Sequence, residues 1–255
     1  MIERLLQHRF LFEELVKRDF KAKYKRTVLG MVWSVLSPLL MLTVMAIIFG
    51  NFFGRNIEHY IIYLFSGQIV FNYFSEATNE GMQALVSNSS IFTKINVPKY
   101  LFLFSKNVSA LINFGIILVI YFGFVAFEGI SFTWQFLFLI YPVICLIIMN
   151  LGIGLILSAL YIFFKDIQYL YRLFTQVVMY GSAIFYNIDI MPQHLQTLFY
   201  GNPIFVCITY FRSIVLHNTI PDLRLHLLLA GYALLLFVIG CWIYKKDNYK
   251  FLYYV

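Results

Sequence analysis

Apolar and polar residues alternate along this chain in long blocks. Between Arg26 and Arg55 there is no formally charged residue. That run exceeds the ~20 residues an α-helix needs to cross a ~30 Å hydrocarbon core. It predicts a first span over residues 30–53, kinked or locally unwound at Pro38. Gly50 and Gly54, four residues apart near its far end, permit close helix packing. A second apolar block, residues 60–84, carries Asn72, Glu76 and Glu80 at helical spacing with Asn79 beside them. Carboxylates on a spanning helix are costly toward lipid, so this stripe should face the bundle interior, a partner subunit or water. Either a proton relay or a wetted interfacial position would satisfy it.

Further blocks predict spans at residues 107–127, 134–162, 173–187 and 227–244, the fourth broken by Pro142 and loosened by Gly152 and Gly154. Residues 86–100 form a polar interruption with Ser/Asn cap signals, an apolar pair (Ile91 and Phe92), Lys94, and Pro98 as a stop. It reads as either a solvated loop or a short helix offering Ile91 and Phe92 to a groove on another protein. Residues 187–225 hold two apolar pieces separated by Gly201, Asn202 and Pro203, each too short to cross, the second containing Arg212. They predict interfacial or re-entrant helices, with Arg212 at the interface.

Before the first span, residues 1–28 read as an amphipathic helix lying on the cytoplasmic face of the membrane. Phe12, Val16, Phe20 and Tyr24 recur every fourth residue, Lys17, Lys21 and Lys25 mark another face, and Glu13–Lys17 and Glu14–Arg18 offer pairs. Such a helix seats its stripe at headgroup depth. A purely topogenic cluster is the plainer alternative. The whole is an all-α membrane protein: residues 1–28 as an interface helix, residues 29–255 as a six-span domain with helices inserted before the last span.

Composition agrees. Of 255 residues, 61% are hydrophobic and 12% charged, against about 25% charged in soluble domains. The net charge of +7 follows topology and not a nucleic-acid surface. With the amino terminus inside, 16 of the 19 Lys and Arg fall on inside segments, leaving only Arg55, Arg212 and Arg224 outside. This satisfies the positive-inside rule and puts both termini in the cytoplasm. No apolar signal core precedes residue 26. Cys145, Cys207 and Cys241 show no pairing or metal-site spacing. There is no Gly-Lys dipeptide and hence no P-loop, no HExxH and no Gly-x-Ser-x-Gly. An integral-membrane glycan-modifying enzyme therefore lacks a visible site. A secondary transporter or flippase would be expected to show internal repeats, and none stands out.

Arg18 to Lys21 with Tyr24, then Thr27 to Gly30, Trp33, and Pro38 with Leu39, resemble the start of permease subunits of bacterial polysaccharide ABC exporters. Lys94 with Val97 and Pro98, the Phe185–Tyr186 end of span five, and Asn202 through Arg212 add to the likeness. The resemblance implies a homodimeric pore in the inner membrane that exports a lipid-linked O-antigen, capsular or teichoic-acid-like glycan. ATP and Mg²⁺ would sit on a separate pair of ABC subunits, with no cofactor in this chain. It assigns Ile91, Phe92, Lys94, Val97 and Pro98 to coupling with the ATPase, and Asn202, Pro203 and Arg212 to an outer gate. On this reading Lys21, Lys23, Lys25 and Arg26 meet the lipid phosphate, and Phe49, Phe52, Tyr180 and Phe185 line the channel.

Overall fold

A computed structural model describes residues 8–25, 27–54, 57–95, 97–252 and 254. Among them there is no strand. The helices are α1 (Arg9–Tyr24), α2 (Val32–Phe53), α3 (Tyr60–Ser87), the single turn α4 (Ser89–Phe92), α5 (Tyr100–Phe127), α6 (Ile140–Phe163), α7 (Ile167–Tyr180), α8 (Gln193–Phe199), α9 (Pro203–Val215) and α10 (Leu223–Asp247). Among the described residues four segments are long and apolar enough to cross a membrane: α2, α5, Trp134–Phe163, and α10. The α8–α9 pair, bent by 99°, makes a fifth if counted as one span.

At 28 residues, α3 would reach about 42 Å, but its polar stripe keeps it outside that apolar class. It is instead the axis of the molecule, buried over most of its length by α5, α6 and α9. Where its carboxyls lie, neighbouring helices supply partners in place of lipid. Small residues let the helices close in, as expected where no hydrophobic effect drives association. A Cβ on Gly81 would lie 3.3 Å from the Gly154 Cα. The tightest approach is α6 against α10: a Cβ on Gly152 would sit 2.6 Å from the Leu236 carbonyl carbon, and one on Gly240 would sit 2.4 Å from the Gly152 oxygen. Gly152 and Gly154 therefore do not loosen this span; they are its contact surface. Gly54 has a related use, since a Cβ there would lie 3.3 Å from the Tyr60 ring.

Three expected boundaries move. The third span begins at Tyr100 and not at residue 107, so Lys106 lies inside the helix, where acidic partners hold it. The fifth, expected over residues 173–187, is a helix of 14 residues, about 21 Å long, which starts at Ile167 and stops at Tyr180. Residues 181–186 form an irregular turn folded into the core. The interruption at residues 86–100 is shorter than expected, because α3 runs to Ser87. On α1 the expected stripe flanks the buried line, since Phe12, Val16 and Phe20 are half-buried around Leu15 and Asp19, which face α5. The Tyr24 side chain is outside the described residues, as is Arg26. The surface pairs of α1 are Arg9–Glu13 at 2.7 Å and Lys17–Glu14 at 2.9 Å, replacing Glu13–Lys17 and Glu14–Arg18.

Candidate functional site

The polar stripe of α3 opens onto a groove of about 910 Å³ between α2 and α3. Trp33, Ser34 and Ser37 form one wall, and Gln68, Asn72, Ser75 and Asn79 the other. From Gln68 to Glu80 the wall extends for about 18 Å. Gln68 donates to the Pro38 carbonyl at 3.3 Å, while its own Oε1 is buried without a partner. Pro38 thus sits mid-helix with its carbonyl engaged across the groove. The α3 wall presents amides and a hydroxyl suited to a hydroxyl-bearing ligand, while the α2 wall adds the apolar Leu40, Met41 and Val44 beside the Trp33 indole and the two serines, so the groove is amphipathic.

A charge network floors the groove at the basic end of the bundle. Asp19 is 3% exposed and accepts from Arg18 at 2.8 Å and the Ser105 hydroxyl at 3.0 Å, with Lys106 at 3.4 Å. Lys106 also lies 3.5 Å from Glu80. Lys23 pairs with Glu76 and, at 3.1 Å, with Glu80, and Asn113 donates to Glu76 at 3.0 Å. Three cations from α1 and α5 balance three carboxylates from α1 and α3, as buried charge requires. Glu76 and Glu80 are thus paired at the groove's basic end. Burial disfavours the Lys23 ammonium, but the two glutamates more than offset this and raise its pKa above the lysine range. A raised folded-state value adds stability below the unfolded pKa of about 10.4, lost only as pH rises through the folded value. The α1 attachment should not titrate at Lys23 near neutral pH.

The basic residues expected to meet substrate therefore separate. Lys21 and Lys25 are exposed; Lys23 is committed to Glu76 and Glu80; Arg26 lies outside the described residues. Lys23→Gln would leave two carboxylates facing each other one helical turn apart. It should lower stability by about 1–2 kcal/mol, discounted for partial exposure, whereas Lys21→Gln and Lys25→Gln should leave the melting temperature unchanged.

At the opposite end the turn at residues 181–186 is held by side chains. Asn202 donates to the Gly181 carbonyl at 3.0 Å. Arg212 donates to Ala183 at 2.9 Å, Ile184 at 3.0 Å and Tyr63 at 3.1 Å. The Tyr60 hydroxyl reaches Phe185 at 2.9 Å and the Tyr63 hydroxyl reaches Tyr186 at 2.7 Å. Carbonyls without helical partners are thereby satisfied, and Ala183 is kept at φ 48°, a conformation non-glycine residues seldom hold unaided. Gly67 makes room, since a Cβ there would lie 2.9 Å from the guanidinium. Arg212 is not held by water: it is 6% exposed and stands 3.4 Å over the Tyr63 ring. Pro203 starts α9, and the side-chain oxygen of Asn202 caps it by accepting from Ile204 at 2.9 Å.

The clamped turn carries Phe185, whose ring centroid lies 4.9 Å from that of Phe49 and 6.2 Å from that of Tyr180. Three of the four expected channel aromatics converge, but Phe52, 75% exposed, points elsewhere. Sequence reasoning missed Tyr60 and Tyr63, whose hydroxyls look like any interfacial tyrosine's.

In the segment expected to couple, Phe92 is not presented outward. It is 5% exposed and packs on Phe102 with centroids 5.9 Å apart. Val97 is also buried, and Ile91 and Pro98 are half-buried. Lys94 and Ile95 are exposed, Ile95 at 56%. The expected apolar anchor has turned inward because α4 folds back on α5.

An all-helical bundle with four or five candidate membrane spans defines the class as a polytopic membrane protein. The chain belongs to the ABC-2 type transporter family, which matches residues 11–216. It is similar to the O-antigen export system permease protein RfbA of Klebsiella pneumoniae, 25% identical over 251 residues and 95% of each chain. RfbA of Myxococcus xanthus is 25% identical over 255 residues, 98% of this chain and 97% of that one. The polysialic acid transport protein KpsM of Escherichia coli is 25% identical over 237 residues, 91% and 92% of the two chains.

Proposed function

We propose that this chain is the membrane subunit of an ATP-driven exporter. It would carry a lipid-linked polysaccharide, of the O-antigen, capsular or teichoic-acid kind, from the cytoplasmic to the outer side of a bacterial inner membrane. Near-full-length similarity to permeases named for O-antigen export and polysialic acid transport carries this reading. The polar groove supports it: a sugar chain offers hydroxyls to Asn72, Ser75 and Asn79 and a ring face to Trp33.

The subunit works as a homodimer. On α2 only Ser34 and Leu42 are buried, and on α7 only Tyr171 and Thr175, so both helices keep most of their surface for a second copy and the cargo. Phe49 of α2 and Tyr180 of α7 both approach Phe185 of the clamped turn, and the three would form a sliding surface there. With α3 and α7 taken as crossings there are six spans, and the one-sided cations place both termini in the cytoplasm. Lys21 and Lys25, exposed on α1, would meet the lipid phosphate through charge-assisted contacts, joined by Arg26, the next cation in the sequence. ATP and Mg²⁺ belong to a separate pair of ABC subunits, because this sequence has no P-loop.

Coupling runs through the turn after α4, with Lys94 and Ile95 as its outward residues. Ile95→Asp should abolish co-purification with the ATP-binding subunit while the melting temperature holds. Phe92→Ala should instead cost about 3–5 kcal/mol of stability. Intact complex and export in the Ile95→Asp variant would remove this turn from the coupling path.

A further inference from the structure

Also at the basic end, but sharing no lining residue with the groove, a pocket of about 320 Å³ opens between the start of α5, α6 and the end of α10. Lys99 and Lys245 stand at it with the tyrosines Tyr100 and Tyr244, and Leu155 lies at its apolar side. Tyr244 is 7% exposed, and its hydroxyl and that of Tyr100 are buried with no hydrogen-bond partner. A buried tyrosine hydroxyl normally finds one. Lys99 donates to the Asn248 carbonyl and lies 5.8 Å and 5.5 Å from the ring centres of Phe92 and Phe251. Among the described residues it has no carboxylate partner. Burial pushes its pKa down, and an anion beside it would reverse that. The neighbouring acid, Asp247, is engaged by Lys250 at 2.8 Å. Two cations and two unsatisfied hydroxyl donors therefore surround a space that contains no negative charge of the protein.

A second, apolar furrow of about 450 Å³ lies beyond Phe104, which lines both it and the pocket. Val108 and Leu111 of α5 and Leu151 and Ile147 of α6 line the furrow, with Asn107 beside them, and Phe12 and the Arg9–Glu13 ion pair of α1 close its side. From Phe104 to Leu111 it climbs about 10 Å toward the middle of the bundle. A soluble anion would use only the head of this arrangement. A phosphate carrying an acyl chain would use all of it.

We propose that this is a site for an anionic phospholipid of the surrounding bilayer, its phosphate between Lys99 and Lys245 with the tyrosine hydroxyls donating, and one acyl chain in the furrow. Basic pockets between membrane helices at headgroup depth are suited to such lipids, and ionic hydrogen bonds to phosphate are stronger than neutral ones. The site is independent of the export reading, since it needs neither cargo nor ATP-binding subunit.

The test is lipid retention by the purified chain, followed by native mass spectrometry with phosphatidylglycerol or phosphatidylcholine as probe, and by thermal melting. Wild type should hold phosphatidylglycerol in preference and melt higher with it. Lys99→Gln with Lys245→Gln should weaken retention by roughly fivefold for each lysine. Lys17→Gln with Lys246→Gln, a charge-matched change outside the pocket, should not. Tyr244→Phe should lower retention without lowering the lipid-free melting temperature, a separation that a purely structural tyrosine would not give, and it decides the matter if the double variant fails to fold. Equal retention of both lipids, or undiminished phosphatidylglycerol on the Lys99/Lys245 and Tyr244 variants, overturns the proposal. Inorganic phosphate raising the melting temperature as far as phosphatidylglycerol does would also overturn it, in favour of a soluble anion.

Discussion

Gly152→Leu and Gly240→Leu should each fail to yield a monodisperse membrane protein. At these positions the backbones of α6 and α10 touch, and a Cβ added at Gly152 or Gly240 would fall 2.6 Å or 2.4 Å from backbone atoms of the other helix. Neither backbone can move aside as a side-chain tip can. Overpacking typically costs about 1–3 kcal/mol, and a leucine wedged between two backbones belongs at or beyond the upper end. Gly152→Ala should already lower the melting temperature. Gly231 on α10 is the control, because nothing lies within 4 Å of its Cβ position. There alanine should be neutral or stabilising by up to about 1 kcal/mol through helix propensity. Size-exclusion profiles and melting curves of the four variants read the difference. Equal tolerance at Gly152 and Gly231 would mean that the two helices do not pack in this register.

Arg212→Met should release the turn at residues 181–186 and stop transport. The substitution keeps much of the side-chain length but removes every donor, so the Ile184 carbonyl loses its side-chain partner, Ala183 keeps only the longer bond from the Tyr63 hydroxyl at 3.4 Å, and the Tyr63 carbonyl keeps the Ser66 hydroxyl at 2.8 Å. An unsatisfied buried carbonyl costs about 1–3 kcal/mol, and Ala183 also loses the shorter bond that holds its left-handed backbone. Arg212→Lys should be intermediate, because one ammonium cannot reproduce the planar fork. A cysteine at Phe185, with the native cysteines replaced, reports the turn directly. It should react slowly with a thiol reagent when Arg212 is present and faster in the Arg212→Met background. An unchanged rate would show that Asn202, Tyr60 and Tyr63 suffice.

The sequence made the class legible because the membrane imposes it: long uncharged runs, one-sided cations, and two apolar pieces too short to cross, which became the bent α8–α9 pair. Among site residues it singled out Asn202, Arg212 and Phe185 but could not show that they act on one turn, since the partners are backbone carbonyls, which every sequence has. Arg212 reads as interfacial because a charge at depth is costly, but its partners, three backbone carbonyls, the Ser66 hydroxyl and the Tyr63 ring, could not be read from the sequence. Lys23 looked like a free cation because its partners Glu76 and Glu80 lie 53 and more residues away. Phe92 looked exposed because its neighbours in sequence are polar, although its neighbour in space is Phe102. Gly152 read as a loosening residue because Gly240, which makes it a contact, is 88 positions distant.

The central claim is that this chain moves a lipid-linked glycan only together with an ATP-binding subunit. Reconstitution into proteoliposomes with a labelled lipid-linked glycan tests it most directly, following the arrival of label on the far side. The account predicts translocation that requires both subunits and hydrolysable ATP, and that vanadate stops. Glycan transfer by this chain alone, driven by an ion gradient and indifferent to ATP, would contradict it.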